Sequence, residues 1–401
     1  MGQSIITQET FRHHFLPDGT IGAVKRRLDL IREFSIPILA GVAAALVWAN
    51  LHPESYHHFK KDPLLGPINF DFLTNEIFMV FFFGIAAVEI TLGLLPGGSL
   101  NPPQKAVNPL LATLGGVAGP ALLYIGLDLW LGLPELMRGW GIPTATDIAL
   151  AWLTARLIFG LGHPIIAFLL LLAIADDALG LIIIALFYPD PAHPVNPAWL
   201  ALVGAGMAAA LGLRWLGTAS YWPYLLVGGT LAWTGLHEAH LHPALALVCI
   251  VPFLPHRPPR WRFSTGDPGD RSPLTRFEHE WRAVVDFGLF LFGLSNAGVA
   301  VTGTGTGTWM VLASLVLGKT AGIFLFGWLA VRAGFPLPNG MRFGHLLVAG
   351  LIAGIGFTVA IFVADAAFAD PGLEAAAKMG AMLSLAAAPL AWGTARLLKL
   401  K

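Results

Sequence analysis

Pro164-Ile-Ile-Ala-Phe-Leu-Leu-Leu-Leu-Ala-Ile-Ala-Asp176-Asp177-Ala-Leu-Gly180-Leu-Ile-Ile-Ile-Ala-Leu-Phe187 is the stretch that decides how this chain folds. Apart from two adjacent carboxylates it is apolar from end to end, and it is long enough to cross a hydrocarbon core of about 30 Å. An ionised carboxylate at the bilayer centre costs roughly 2.5–3.5 kcal/mol even on a lenient insertion scale. Two in succession therefore signal function. A second apolar segment, Trp309 to Arg332, carries a single interior cation, Lys319, and a third, Gly141 to Phe159, carries Asp147 beside Pro143, Thr144 and Thr146. Acids and a base held within membrane spans are what a cation or proton pathway requires.

The rest of the chain agrees with a membrane setting. Of 401 residues, 56% are hydrophobic and 12% charged, against about 25% charged in soluble domains. About twelve apolar segments qualify as spans, at 35–51, 72–95, 108–132, 141–160, 164–187, 198–217, 221–236, 241–255, 283–301, 309–333, 345–368 and 375–397. The expectation is an all-α polytopic membrane protein with one transmembrane domain, 35–398, preceded by a polar tail, 1–34. That tail holds Arg12, Lys25, Arg26, Arg27 and Arg32, shows no cleavable signal, and reads as retained in the cytoplasm. With both termini inside, 19 Lys and Arg fall on the cytoplasmic side and 4 outside, the pattern that sets orientation in membranes. The lone cysteine, Cys249, excludes an internal disulfide framework. Neither enzyme chemistry nor a nucleic-acid partner is expected.

Two spans look interrupted. The fourth opens Gly141-Ile-Pro143-Thr-Ala-Thr146-Asp147, where proline removes an amide donor and the threonines can serve freed backbone groups. The eleventh carries Gly350, Gly354, Gly356 and Thr358 at mid-span. Taken alone, glycines in membrane helices are most often close-packing contacts. However, the two spans occupy the middle of three-span groups, 3–5 and 10–12, that enter the membrane from opposite sides. Interrupted spans at matching positions of inverted repeats point to a transporter's ion site, a rule for which the family named below is itself an example.

On a helix Asp176 and Asp177 project about 100° apart, so they take different partners. One can meet a cation in a cavity while the other meets a neighbouring helix, for which Lys319 is the only basic residue expected at membrane depth. A broken fourth span would expose backbone carbonyls and the Thr146 hydroxyl beside Asp147, the oxygen ligands a small hard cation such as Na+ wants. Sodium and protons then compete for the same oxygens, and binding one expels the other. Weaker candidates follow. Glu89, at the cytoplasmic end of span 2, and Glu278-His279, just before span 9, suit pH sensing but read more simply as solvated helix-end charges. His237-Glu238-Ala-His240-Leu-His242 lacks a metal-site spacing and reads as an external loop, as does Thr302 to Thr308. His256 to Glu280 reads as a cytoplasmic connector, and Tyr56 to Asp71 as an external excursion ending in a small hairpin or nothing regular. Asp365 falls near the outer end of span 11, where an acid is cheap.

Five stretches together resemble the NhaA-type bacterial sodium/proton antiporters. They are Gly141-Ile-Pro-Thr-Ala-Thr-Asp147-Ile-Ala, Ala173-Ile-Ala-Asp176-Asp177-Ala-Leu-Gly180, Ser295-Asn-Ala-Gly-Val299, Leu317-Gly-Lys319 and Gly354-Ile-Gly-Phe-Thr358, in the family's order. The resemblance implies a twelve-helix inner-membrane antiporter whose spans 4 and 11 break and cross. It implies electrogenic exchange of two external protons for one cytoplasmic Na+ or Li+, with no cofactor. It assigns cation binding to Asp177, joined by Asp147 and Thr146, and makes Asp176 the partner of Lys319. The family is commonly homodimeric, partly through an external β-hairpin. This chain departs from it at Thr91-Leu92-Gly93 and Trp281-Arg282, near the positions associated with pH activation, and at Asp365, where a small polar residue is usual. A sodium-coupled solute symporter on a related fold remains the alternative.

Overall fold

A computed structural model describes residues 36–66, 68–99, 103–160, 162–189, 193–256 and 272–400. The expected basic tail and most of the His256 to Glu280 connector lie outside the described residues.

Helix occupies each of the twelve segments expected to be spans, wholly or in part. Six helices are individually long and apolar enough to cross a membrane: Phe70–Leu94, Ala106–Leu131, Pro164–Phe187, Pro197–Trp215, Thr306–Arg332 and Pro371–Leu397. Two further pairs qualify only jointly, each bent at a short break, Pro134–Thr144 with Ile148–Phe159 by 56° and Phe343–Ala353 with Phe357–Ala367 by 49°. Ile36–Leu51 and Pro243–Phe253 are shorter apolar helices. The chain is thus a polytopic helical membrane protein. Among the described residues the only sheet is a two-stranded antiparallel hairpin, Pro63–Leu65 against Ile68–Asn69, so the Tyr56 to Asp71 stretch does end in a small hairpin.

Several boundaries differ from expectation for local reasons. The broken fourth span begins as a 3-10 helix at Pro134, seven residues before Gly141, and Pro143 lies in its last turn. Pro273 opens a helix that runs unbroken to Asn296, capped by Ser272 accepting from the Thr275 amide. Glu278 and His279 therefore sit within a helix and not ahead of one. Thr302 to Thr308 is only partly loop: helix starts at Thr306, and Thr308 is fully buried with its hydroxyl donating to Ala376 O at 2.8 Å.

Close backbone approach fixes the frame. A Cβ placed on Gly322 would lie 1.9 Å from Gly115 O, and one on Gly115 would lie 2.2 Å from Gly322 O. Helices Pro103–Leu131 and Lys319–Arg332 thus touch main chain to main chain, as small residues permit in membranes. This contact sets the depth of Lys319, three residues before Gly322.

Candidate functional site at the crossed helix breaks

The two breaks meet and satisfy each other. Ala145 to Asp147 and Gly354 to Gly356 are both non-helical, so their amides and carbonyls need partners at membrane depth. The Asp147 amide donates to Ile355 O at 2.7 Å, and the Thr146 hydroxyl reaches Ala353 O at 2.9 Å. The Gly356 amide donates to Ser384 Oγ at 3.2 Å. Gly354 and Gly356 have ordinary negative φ. Their service is proximity: a Cβ on Gly354 would come within 2.7 Å of Leu315 O, and one on Gly356 within 2.7 Å of the Leu315 side chain.

Charge follows the helix ends. Two N-termini, those of Ile148–Phe159 and Phe357–Ala367, converge on Asp147. Its Oδ1 accepts from the Leu150 amide at 3.1 Å, and its Oδ2 accepts from the Thr358 amide at 3.3 Å and from the Thr358 hydroxyl. One carboxylate therefore caps two helices, where the helix dipoles favour negative charge. At the opposite polarity, Lys319 Nζ donates to Thr144 O, the last carbonyl of the 3-10 segment, at 2.5 Å. The lysine follows directly on a π-helical turn, Ser314–Gly318, a distortion frequent at functional sites.

Asp176 and Lys319 form an ion pair at 2.6 Å with both side chains 0% exposed. The Thr146 hydroxyl lies 2.6 Å from the same oxygen, Asp176 Oδ2. Asp177 differs. It is half-buried, lines a cavity with Asp176, Phe82, Phe83, Ala145 and Val359, and makes no hydrogen bond to any described residue. Asp176, Asp147, Glu89 and Lys319 all lie within electrostatic reach of it. The two aspartates thus take different partners: Asp176 is held by Lys319 at the cavity wall, while Asp177 presents its carboxylate to the cavity without a hydrogen-bonding partner. An apolar-walled cavity presenting a free carboxylate is chemically suited to a small cation or a proton.

The structure thus gathers Asp177, Asp176, Thr146, Lys319, Asp147, Thr358, Gly354 and Gly356, with Pro143 in the turn before the break. Asp147 lies beside the cavity and not on its lining, with its oxygens turned to the two helix ends. Glu89 is half-buried, five residues before its helix ends at Leu94, and is in the electrostatic range of Arg282 and Glu278. Its reading as a solvated helix-end charge gives way to one facing the bundle. Glu278 pairs with Arg282 at 3.7 Å, while His279 is exposed. Among the described residues no group of three or more His, Cys, Asp or Glu is placed to hold a metal, the His237 to His242 stretch included.

Sequence reasoning missed one residue outright. Lys319 is not the only fully buried base among the described residues, because Lys378 is 1% exposed and ion-paired to Asp365 at 2.9 Å and Glu374 at 2.5 Å. The signal was present as an acid four residues before it, Glu374. The helix containing both begins at Pro371, earlier than expected, and places Lys378 in its second turn instead of at its mouth.

A family model described as Na+/H+ antiporter 1 matches residues 30–395. The chain is 62% identical over 379 residues to a protein of Pelobacter propionicus named Na(+)/H(+) antiporter NhaA 2, covering 94% of this chain and 99% of that one. It is 62% identical over 363 residues to the Na(+)/H(+) antiporter NhaA of Geobacter sulfurreducens, covering 90% and 95%. With the protein of the same name from Desulfitobacterium hafniense it shares 60% identity over 379 residues, covering 94% and 97%.

Proposed function

Because the chain belongs to the Na+/H+ antiporter 1 family, we propose that it exchanges cytoplasmic Na+ or Li+ for external protons across a bacterial inner membrane. The observation that carries the site assignment is the isolation of Asp177. Of the three intramembrane acids at the crossing, Asp176 is matched by Lys319 and Asp147 by two helix N-termini. Asp177 alone lines the cavity without a hydrogen-bonding partner. Its counterpart is then the cargo, sodium at one stage and a proton at another.

Competition for that carboxylate accounts for exchange. A proton and a sodium ion cannot occupy the same oxygen lone pairs, so each arrival displaces the other. If the loaded site alone can turn between the two faces of the membrane, the competition becomes obligatory antiport by alternating access. Asp147 joins the site while its Oδ2 is held by the Thr358 amide and hydroxyl, which fixes the carboxylate and couples cargo binding to the position of the Phe357–Ala367 half-helix. Two protons entering per sodium leaving makes the cycle electrogenic, with Asp177 and either Asp147 or the Asp176–Lys319 pair as the proton carriers. In this reading the twelve helical segments each cross the membrane, spans 3–5 and 10–12 form the inverted repeats, and both termini face the cytoplasm. The Pro63–Leu65 and Ile68–Asn69 hairpin lies outside, where it can contribute to a homodimer.

Sodium-evoked proton movement in proteoliposomes, with and without a clamped membrane potential and from pH 6 to 9, tests this function. Exchange that generates and responds to the potential is expected. Electroneutral exchange removes the stoichiometry, and sodium uptake coupled to an organic solute replaces antiport with symport.

A further inference from the structure

The half-helix Phe357–Ala367 is fastened at both ends, and only its inner fastening belongs to the ion site. At the inner end Thr358 binds Asp147 through amide and hydroxyl. Seven residues later Asp365 Oδ1 meets Lys378 Nζ at 2.9 Å. Seven residues are two turns, about 10.5 Å, and bring both side chains to nearly the same face of the helix. Lys378 is itself immobilised, since Nζ also donates to Glu374 Oε1 at 2.5 Å and Asn296 Oδ1 at 3.3 Å. Asn296 in turn donates to Asn75 Oδ1 at 2.8 Å, and both amides are buried. Through one ammonium, the outer end of the half-helix is joined to the Pro371–Leu383 helix, to the end of Pro273–Asn296 and to the start of the Phe70–Leu94 helix.

Surrounding charges argue that this cluster is a clamp and not a second cation site. Its acids already have cations: Asp365 and Glu374 share Lys378, and Asp71 is paired with Lys60 at 3.2 Å and Lys61 at 2.7 Å. Lys60 also acts on Asp365 electrostatically. The pair is buried on the lysine side and partly exposed on the acid side, at 1% and 30%. Loss of one buried member of such a pair is felt by whatever it holds.

We propose that Asp365 and Lys378 are positioning residues for the ion site: their pair sets the height and rotation of Phe357–Ala367, and thereby the grip of Thr358 on Asp147. The proposal rests on the reading that Asp147 belongs to the cation site. With the outer end released, the half-helix must be ordered anew whenever the site loads, and the lost preorganisation weakens binding. Maximal turnover is spared, because neither residue touches the cargo.

Asp365→Asn is the test, since it removes the charge, keeps the shape and leaves Lys378 paired with Glu374. Hydrogen exchange of the amides in Phe357–Ala367 is expected to quicken. In proteoliposomes the apparent KM for sodium is expected to rise about fivefold or more, the scale of an ordinary coupling between two sites, with the rate at saturating sodium little changed. Asp365→Glu, which keeps the pair, restores both values, and Glu374→Gln, which leaves Asp365 on Lys378, alters neither. Asp365→Ser carries the same expectation as Asp365→Asn should the latter not fold. Unchanged hydrogen exchange in the variant overturns the clamp, as does a lowered maximal rate at unchanged KM. A wild-type protein that exchanges no sodium refutes the functional reading instead, and the hydrogen-exchange comparison still decides the clamp.

Discussion

Replacing Lys319 by methionine isolates the energetics of the buried ion pair. The ammonium makes two short bonds, to Asp176 Oδ2 at 2.6 Å and Thr144 O at 2.5 Å, with no water-accessible surface on either charged side chain. Methionine fills comparable space but leaves Asp176 with the Thr146 hydroxyl on Oδ2 and no partner on Oδ1. Removing one partner of a buried pair costs about 3–5 kcal/mol. The carboxyl has a way out, which is to take up a proton. For a carboxyl of ordinary affinity, neutralisation costs about 1.4 kcal/mol per pH unit above about 3.9, hence about 4 kcal/mol at pH 7 and about 1.5 kcal/mol at pH 5. Whichever route is cheaper sets the damage. The destabilisation of Lys319→Met should therefore be about 3–5 kcal/mol at pH 8 and should fall to about 1.5 kcal/mol by pH 5. The double variant Lys319→Met with Asp176→Leu removes both charges and should be near neutral or more stable than the single variant at every pH. Unfolding of the three proteins in detergent from pH 5 to 8 provides the comparison. A loss of stability independent of pH, or a double variant as weak as the single one, would refute the ion-pair reasoning.

Three other perturbations have defined outcomes. Thr358→Val deletes the hydroxyl on Asp147 Oδ2 while keeping the side-chain shape. A hydrogen bond to a charged group is worth about 1.5–3 kcal/mol, so the thermal midpoint should fall, and an unchanged midpoint would contradict the double cap. Gly322→Ala drives a methyl to 1.9 Å from Gly115 O, and overpacking of this kind costs about 1–3 kcal/mol or more; wild-type unfolding would deny the main-chain contact. His163 caps the Pro164–Phe187 helix through Nδ1, accepting from the Ile165 amide at 3.2 Å, and burial lowers its affinity for a proton. The unfolded chain then takes up that proton first, so the stability His163 confers is complete above about pH 6.5 and fades on acidification. His163→Ala should lose about 1 kcal/mol at pH 8 and less at pH 5.5, and a constant deficit in unfolding measured at both would contradict this.

The intramembrane charges were legible because their surroundings made them so. Asp176, Asp177 and Lys319 stand out against apolar spans, where a charge without a purpose is expensive, and the adjacency of the two acids already required separate partners. Pro143 likewise announced a break, since an imino nitrogen cannot continue the hydrogen-bond ladder. Lys378 was not legible. Its neighbours Glu374, Ala375, Ala376 and Ala377 resemble an ordinary helix mouth, and its burial depends on Asp365, Asn296 and Asn75, contributed by three other helices. The double cap on Asp147 was hidden for the same reason. The Leu150 amide is local, but the Thr358 donors are 211 residues away. The glycines of the eleventh span combined both readings open to them, a break at Gly354 to Gly356 and close packing on Leu315.

Asp177 is the centre of the account, and Asp177→Asn tests it most directly, because the amide keeps the volume and polarity while surrendering the charge. The measurement is proton release by the purified protein on addition of sodium at pH 8.5, compared between wild type and variant. Release is expected from the wild type and none from Asp177→Asn, with the fold intact by thermal unfolding. Undiminished release from the variant would contradict the assignment of Asp177 as the carboxylate for which sodium and protons compete.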